Sequence, residues 1–419
     1  MRRVFTQIKE TYNEFPRTFW TLVGASFIDR LGGTMIFPFF ALYVTQKFNV
    51  GMTQAGVLLA IFSIAGLFGS MIGGALTDKF GRRGMVLFGL VFSALSSVSM
   101  GLVNELSHFY LLAVFVGSLS NIAGPAHQAM VADLLPEQTR TEGFGILRVA
   151  GNLAWIFGPM IGGLVAGSSY LMLFILDAIT SLIVAFIVFR SIPETKPQVS
   201  EAEDKKTLAQ TFVGYRVVLT DRLYLVYLLV SMLMLIAYQQ MYHTLSVYLR
   251  DSHGVPERGF GALLSIDAAI VVLLQFWVTR RVRDRPPMIM MAAGTALYMV
   301  GLTMFGFVST YWLFVAAILL LTFGEMVVMP VSQALAARFA PEDMRGRYMA
   351  FYSLAWAIPS TIGPWAAGLI LDNYNPDWVW YAAGIACAIA VAGFLALHRS
   401  AQRRFAAVPA EEAQRVSSS

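Results

Sequence analysis

The 419-residue chain has a single cysteine, Cys387. A lone thiol excludes an intramolecular disulfide and a cysteine-built metal site. Charge is scarce too. Asp, Glu, Lys and Arg make up 13% of the residues, against about a quarter in a soluble globular domain. No G-x-x-x-x-G-K-[ST] loop occurs, so ATP is not the expected energy source. There is no metal-ligand spacing, no nucleophile set beside a base, and no polar stretch long enough to hold a catalytic domain. The chain therefore reads as a non-enzyme with no metal and no organic cofactor. No cleavable signal peptide is expected, because the first apolar run, 19–44, is too long for a signal core and lacks a clear cleavage site.

What fills the chain is apolar. Hydrophobic residues make up 57% and the mean hydropathy is +0.64. A helix of about 20 residues crosses the ~30 Å hydrocarbon core of a bilayer. Twelve runs of that kind are predicted, at 18–45, 54–77, 84–104, 107–133, 143–167, 170–190, 223–250, 258–281, 287–308, 311–338, 346–371 and 377–398. The expected architecture is an all-α polytopic membrane protein with a six-helix bundle over 1–190, a hydrophilic linker over 191–222, a second six-helix bundle over 223–400 and a polar tail over 401–419. The charge run 201–206 inside the linker reads as a solvated face.

The net charge of +5 is spread over short loops rather than gathered in a stripe, so no nucleic-acid partner is expected. Alternate loops hold Lys79, Arg82 and Arg83; Arg140; the bases of the linker; Arg280, Arg281, Arg283 and Arg285; and Arg338, Arg345 and Arg347. The opposite loops hold only Lys47, Arg250 and Arg258. Lysine and arginine accumulate on the cytoplasmic side. Both termini are therefore expected in the cytoplasm, in a multi-pass protein of the inner or plasma membrane.

The chain repeats itself at an offset of 205 residues. Without a gap this register pairs Pro125 with Pro330, Gln128 with Gln333, Pro136 with Pro341, Arg140 with Arg345, Gly158 with Gly363 and Pro159 with Pro364. Spans 4–5 thus match spans 10–11 in the same orientation. Two like-oriented, pseudo-symmetric halves are a transporter plan, with a substrate path near mid-membrane.

Between spans 2 and 3 runs Gly73-Gly74-Ala75-Leu76-Thr77-Asp78-Lys79-Phe80-Gly81-Arg82-Arg83-Gly84. Its charges must lie at the membrane surface, since a charge at mid-bilayer costs about 3 kcal/mol or more. The glycines suit a tight turn. The pattern Gly74-x-x-x-Asp78-Lys79-x-Gly81-Arg82-Arg83 resembles the cytoplasmic loop between helices 2 and 3 of the major facilitator superfamily. That resemblance implies a gating loop, with Asp78 meeting a helix end of the other half and Arg82 meeting an acid at the end of helix 4, here Asp133. In span 5, Gly158-Pro159-Met160-Ile161-Gly162-Gly163 resembles the helix-5 motif of the superfamily's proton-exchanging exporters. Physically, its small residues allow close helix packing. The arginine such exporters usually carry in helix 4 is missing here, so either Arg148 or Arg30 does its work or the proton path differs.

Charges inside spans are functional candidates, because unpartnered burial is costly. Glu325 sits mid-span 10 with no base within a turn, and its G-E-x-x-x-x-P context resembles helix 10 of bacterial multidrug exporters. Asp267 in span 8 also lacks a local base. Asp29 and Arg30 are adjacent in span 1, and a structural tie from this pair to Arg148 is the competing role. Asp177 in span 6 is a weaker candidate. Asn121, Gln128, Asn152, Tyr238, Gln239 and Tyr242 are candidate cavity-lining residues. His127 reads as a satisfied bundle histidine and His243 as an interfacial one.

Together these readings lead to an expectation of a monomeric secondary transporter that exports small lipophilic or cationic compounds, using protons as coupling ion. Two alternatives are an importer or facilitator of sugars, peptides or lysolipids on the same scaffold, and a non-transporting membrane receptor.

Overall fold

Proline and glycine decide where these long apolar runs break. The computed structural model describes residues 12, 14–195, 216–341 and 344–418, with side chains at 71, 74, 75, 78, 137, 141 and 406–418 excepted. The charge run 201–206 lies outside the described residues. So do the side-chain surroundings of Gly74 and Asp78, although their backbone is helical. Among the described residues the chain is helical throughout, and twelve helical segments are long and apolar enough to cross a membrane.

The first half runs as α1 (Arg17–Ile36), a 3-10 turn at Phe37–Phe39, α2 (Phe40–Lys47), α3 (Met52–Phe80), α4 (Arg82–Leu102), α5 (Leu106–Ser120), α6 (Gly124–Leu134), α7 (Arg140–Ala166) and α8 (Tyr170–Ser191). The second runs as α9 (Arg222–His243), α10 (Leu245–His253), α11 (Glu257–Val282), α12 (Pro287–Phe305), α13 (Tyr311–Phe339), α14 (Arg345–Asn373) and α15 (Trp378–Ser418).

Span 4 is predicted as one helix but is two. Pro125 has no N–H to offer the carbonyl four residues back. That carbonyl, on Asn121, instead accepts from Gly124 N at 3.3 Å, a tighter turn that ends α5 and starts α6. Its repeat counterpart, Pro330, leaves α13 unbroken. There the orphaned carbonyl, on Met326, is served from outside the helix by Gln275 Nε2 at 3.0 Å.

The chain divides into two compact units. One comprises residues 1–201 with 246–272, the other 202–245 with 273–419. In the first, α1 packs on α7 and α8, α4 on α8, and α3 on α5. In the second, α9 packs on α14 and α15, and α12 on α15. The pairings of spans 1 with 5, 1 with 6 and 3 with 6 thus recur as 7 with 11, 7 with 12 and 9 with 12.

The helix-5 glycines explain themselves within the first unit. A Cβ at Gly158 would overlap the Thr34 hydroxyl, one at Gly162 would come within 2.5 Å of the Met35 carbonyl, and one at Gly163 within 2.7 Å of the Glu257 carbonyl. The motif is where α7 meets α1 on one side and the start of α11 on the other. Thr34 Oγ1 donates to Ala154 O at 3.0 Å across the same seam.

The second unit is tied at one end by Asp221, the N-cap of α9. Its carboxylate accepts from Tyr224 N (3.1 Å), Arg404 Nη1 (2.7 Å) and Tyr348 OH (2.8 Å). Burial alone would raise the Asp221 pKa, but these hydrogen bonds and the Arg404 charge outweigh it and hold the carboxyl below its ordinary value. A depressed folded-state pKa contributes stability above the unfolded value, about 3.9, and that contribution is lost as pH falls through the folded one. Asn keeps the cap and removes the charge. Asp221→Asn is therefore expected to lower Tm at pH 7, and the gap to wild type should close as pH drops below about 4. A gap that stays constant from pH 7 to 3 in thermal melts would refute the linkage.

Candidate functional site

The break in span 4 opens a cavity of about 620 Å³ inside the first unit. Asn121 lies in the break, and Gly124, His127 and Gln128 follow on α6. Asp29, Arg30 and Ser26 face the same space from α1. Leu22, Val86, Leu90, Phe37 and Trp155 also line it, the last two packed edge to face at 6.0 Å. The volume is that of a drug-sized ligand site, and its lining mixes apolar and aromatic side chains with polar and charged ones.

Three glycines on one face of α3 position the broken segment. A Cβ at Gly66 would come within 2.6 Å of the Asn121 amide, and Cβ atoms at Gly69 and Gly73 would overlap the carbonyl oxygens of Ser118 and Ile122. Only a bare backbone lets α3 lie this close. The spacing 66, 69, 73 is visible in the sequence and is the signal that would have marked this contact.

Asp29 and Arg30 thus stand where a soluble ligand can meet them, and neither makes an ion pair among the described residues. Arg148 is exposed on α7 and does not line the cavity. The expected structural tie from the span-1 pair to Arg148 is therefore replaced by a cavity-facing pair. His127 is satisfied as expected, sharing a 2.9 Å hydrogen bond with Ser26 Oγ, and it also faces the cavity. Asn152 sits half-buried one turn before Trp155.

Behind the cavity, Asp177 of α8 is buried and accepts a hydrogen bond from Ser97 of α4. A Cβ at Gly32 would come within 2.6 Å of its Oδ1, so this carboxyl abuts α1 one turn beyond Asp29. A buried acid therefore backs the half-buried Asp29, a juxtaposition that sequence spacing of 148 residues does not reveal.

The remaining candidates lie elsewhere. Asp267 is buried on α11, and Glu325 is half-buried on α13. Tyr238 and Tyr242 share a 3.0 Å hydrogen bond on α9, and Tyr238 stacks on Tyr298 at 5.1 Å. Gln239 is half-buried beside them. His243 is buried rather than interfacial, because the helix turns at Thr244 and continues as α10.

At the loop between α3 and α4, Arg82 Nε lies 3.2 Å from Asp133 Oδ2. Gly81 takes φ of +88°, open to glycine without strain. Glu194, at the end of the same half, caps the start of α4. Its two oxygens accept from the backbone N–H groups of Arg82 (2.8 Å) and Arg83 (3.1 Å), and an acid there also suits the helix dipole. Arg83 in turn donates to the Phe189 carbonyl and lies over its ring. In the sequence Glu194 falls within the hydrophilic linker, with nothing to mark it as a helix cap.

Twelve membrane spans, an internally repeated plan and a polar cavity within the helices define a secondary transporter. The chain belongs to the Major Facilitator Superfamily, which it matches over residues 22–358 and 287–418. It is 28% identical over 372 residues to a Na(+), Li(+), K(+)/H(+) antiporter of Planococcus maritimus, covering 82% of this chain and 87% of that protein. It is 25% identical over 375 residues to Multidrug resistance protein 2 of Bacillus subtilis (strain 168), covering 87% and 91%. Among solved structures, a POT family transporter in complex with 5-aminolevulinic acid superposes with a TM-score of 0.77 at 15% identity, over 92% of this chain and 97% of that one. The nucleoside transporter NupG does so at 0.77 and 13%, over 91% and 100%. Family and fold are those of transporters rather than enzymes.

Proposed function

We propose that the protein exchanges protons for small lipophilic compounds, cationic ones among them, and exports them across the bacterial inner membrane by alternating access. The observation that carries this reading is the 620 Å³ cavity that sets Asp29 and Arg30 against an apolar and aromatic wall. The wall suits a lipophilic body. The acid supplies a group whose charge is costly within a span and which exchanges a proton instead. Glu325 and Asp267 are the corresponding proton-carrying candidates on α13 and α11. The likeness to a multidrug resistance protein supports the substrate class, and the helix-5 glycine seam supports the exporting direction. The lysine and arginine distribution supports a cytoplasmic position for both termini.

A second reading has its own support. The likeness to the Planococcus antiporter favours exchange of monovalent cations for protons. Both readings are separated by one assay. Full-length protein is placed in liposomes with an acid interior, and an acridine dye reports proton release on addition of ethidium, of NaCl or KCl, or of sugars and dipeptides. Release by ethidium supports the first reading, and release by the salts alone supports the second. Counterflow of a labelled sugar or dipeptide without proton movement would overturn both.

A further inference from the structure

A second cavity, of about 640 Å³, lies within the other unit where the turn 283–286 joins α11 to α12. Its rim carries Arg283 and Arg285 from that turn and Arg338 from the last turn of α13. Its floor is apolar, built chiefly from Pro330, Leu335 and Phe405. The Arg338 guanidinium lies over the Phe405 ring at 4.3 Å. Asp284 is the one acid among the lining residues, so the lining carries a net charge of 3 − 1 = +2. Among the described residues none of the three arginines forms an ion pair. Clustered guanidinium groups without acid partners repel one another and call for an anion.

We propose that this cavity holds the headgroup of an anionic phospholipid. Two features point to a lipid rather than a soluble anion. The floor is apolar, and a free phosphate gains nothing from it, whereas a phospholipid sets its phosphate on the arginines and the start of its acyl chains on the floor. The neighbouring face of α11 also belongs to lipid. Leu273, Phe276 and Trp277 are 75%, 67% and 56% exposed, and Arg280 and Arg281 lie over the Phe276 and Trp277 rings at 4.2 and 5.2 Å. Exposed aromatics under snorkelling arginines mark the boundary between hydrocarbon and water. The arginine rim therefore lies at headgroup depth, and a basic pocket between spans at that depth is what anionic lipid recognition requires. The site is independent of the transported substrate.

The test is lipid binding to the purified full-length chain in detergent, read by native mass spectrometry and thermal shift. The probes are dioleoyl phosphatidylglycerol, dioleoyl phosphatidylcholine and inorganic phosphate. Phosphatidylglycerol is expected to bind and to raise Tm, the other two to do neither. Each arginine near the surface contributes about a fivefold gain in affinity. The triple variant Arg283→Gln, Arg285→Gln, Arg338→Gln should thus bind phosphatidylglycerol roughly a hundredfold more weakly. Ala334→Trp, which fills the cavity and leaves every charge in place, should also lose binding and carries the test if the triple variant does not fold. The pair Arg280→Gln, Arg281→Gln lies outside the cavity and should weaken phosphatidylglycerol binding far less than the triple variant does; an equal loss would mean a diffuse surface attraction rather than this cavity. Equal binding of the two lipids, a phosphate-induced shift of the same size, or wild-type binding by Ala334→Trp would overturn the assignment.

Discussion

Asp29→Asn is expected to reduce substrate-driven proton release to the background of empty liposomes while the protein stays folded. Asparagine has the same shape and polarity as aspartate but no proton to exchange. Asp29 makes no ion pair among the described residues, and its charged neighbours are Arg30 and Asp177, so the substitution breaks no salt bridge and Tm should move little. That separates coupling from stability, which Asp177→Asn cannot do, because Asp177 accepts a hydrogen bond from Ser97. Counterflow of labelled substrate, which needs no net proton movement, should persist in Asp29→Asn. The parallel variant Glu325→Gln locates the carrier. If Asp29→Asn releases protons at the wild-type rate and Glu325→Gln does not, the carrier sits on α13, and the cavity of the first unit binds substrate without coupling it.

Span count and the repeat could be read from the sequence because both rest on local signals: run length against bilayer thickness, and a fixed offset between like residues. Intramembrane charge was legible for the same reason, since an acid in an apolar run stands out whatever surrounds it. Asp29 and Arg30 stand out in this way, as do the polar Asn121 and Gln128 in span 4, and all four share the cavity. What stayed hidden depends on a partner distant in sequence. Pro125 and Pro330 occupy the same register of the repeat, yet only the first ends a helix, and Gln275, 51 residues from Met326, serves the carbonyl that Pro330 orphans. Glu194 reads as a linker acid until the chain folds it against Arg82, 112 residues away. Residues 246–272 read as part of the second half, and they pack with the first unit through contacts such as Arg250 to Thr45 (3.2 Å) and Tyr170 to Glu257 (3.0 Å).

Gly69→Ala is expected to be the most destabilising single-atom addition near the site. The new Cβ would overlap the Ser118 carbonyl oxygen, which belongs to backbone and cannot rotate away. Helices α3 and α5 must part, at a cost of about 3 kcal/mol for overpacking of this kind. At 2–4 °C per kcal/mol that is a Tm fall of roughly 6–12 °C. Gly66→Ala meets the Asn121 side-chain amide instead, a group that can swing aside, so its Tm should fall less even though Asn121 lines the cavity. Gly151→Ala on α7 has open space around the new atom. There, loss of glycine in a helix interior is expected to be neutral or stabilising by up to about 1 kcal/mol. The order Gly69→Ala, Gly66→Ala, Gly151→Ala in falling damage follows from which atom each Cβ meets, not from helix propensity, which is the same for all three. Equal melting temperatures for the three purified variants would mean that α3 does not rest on the broken span. The cavity, whose Asn121 is placed by that contact, would then need another account of its shape.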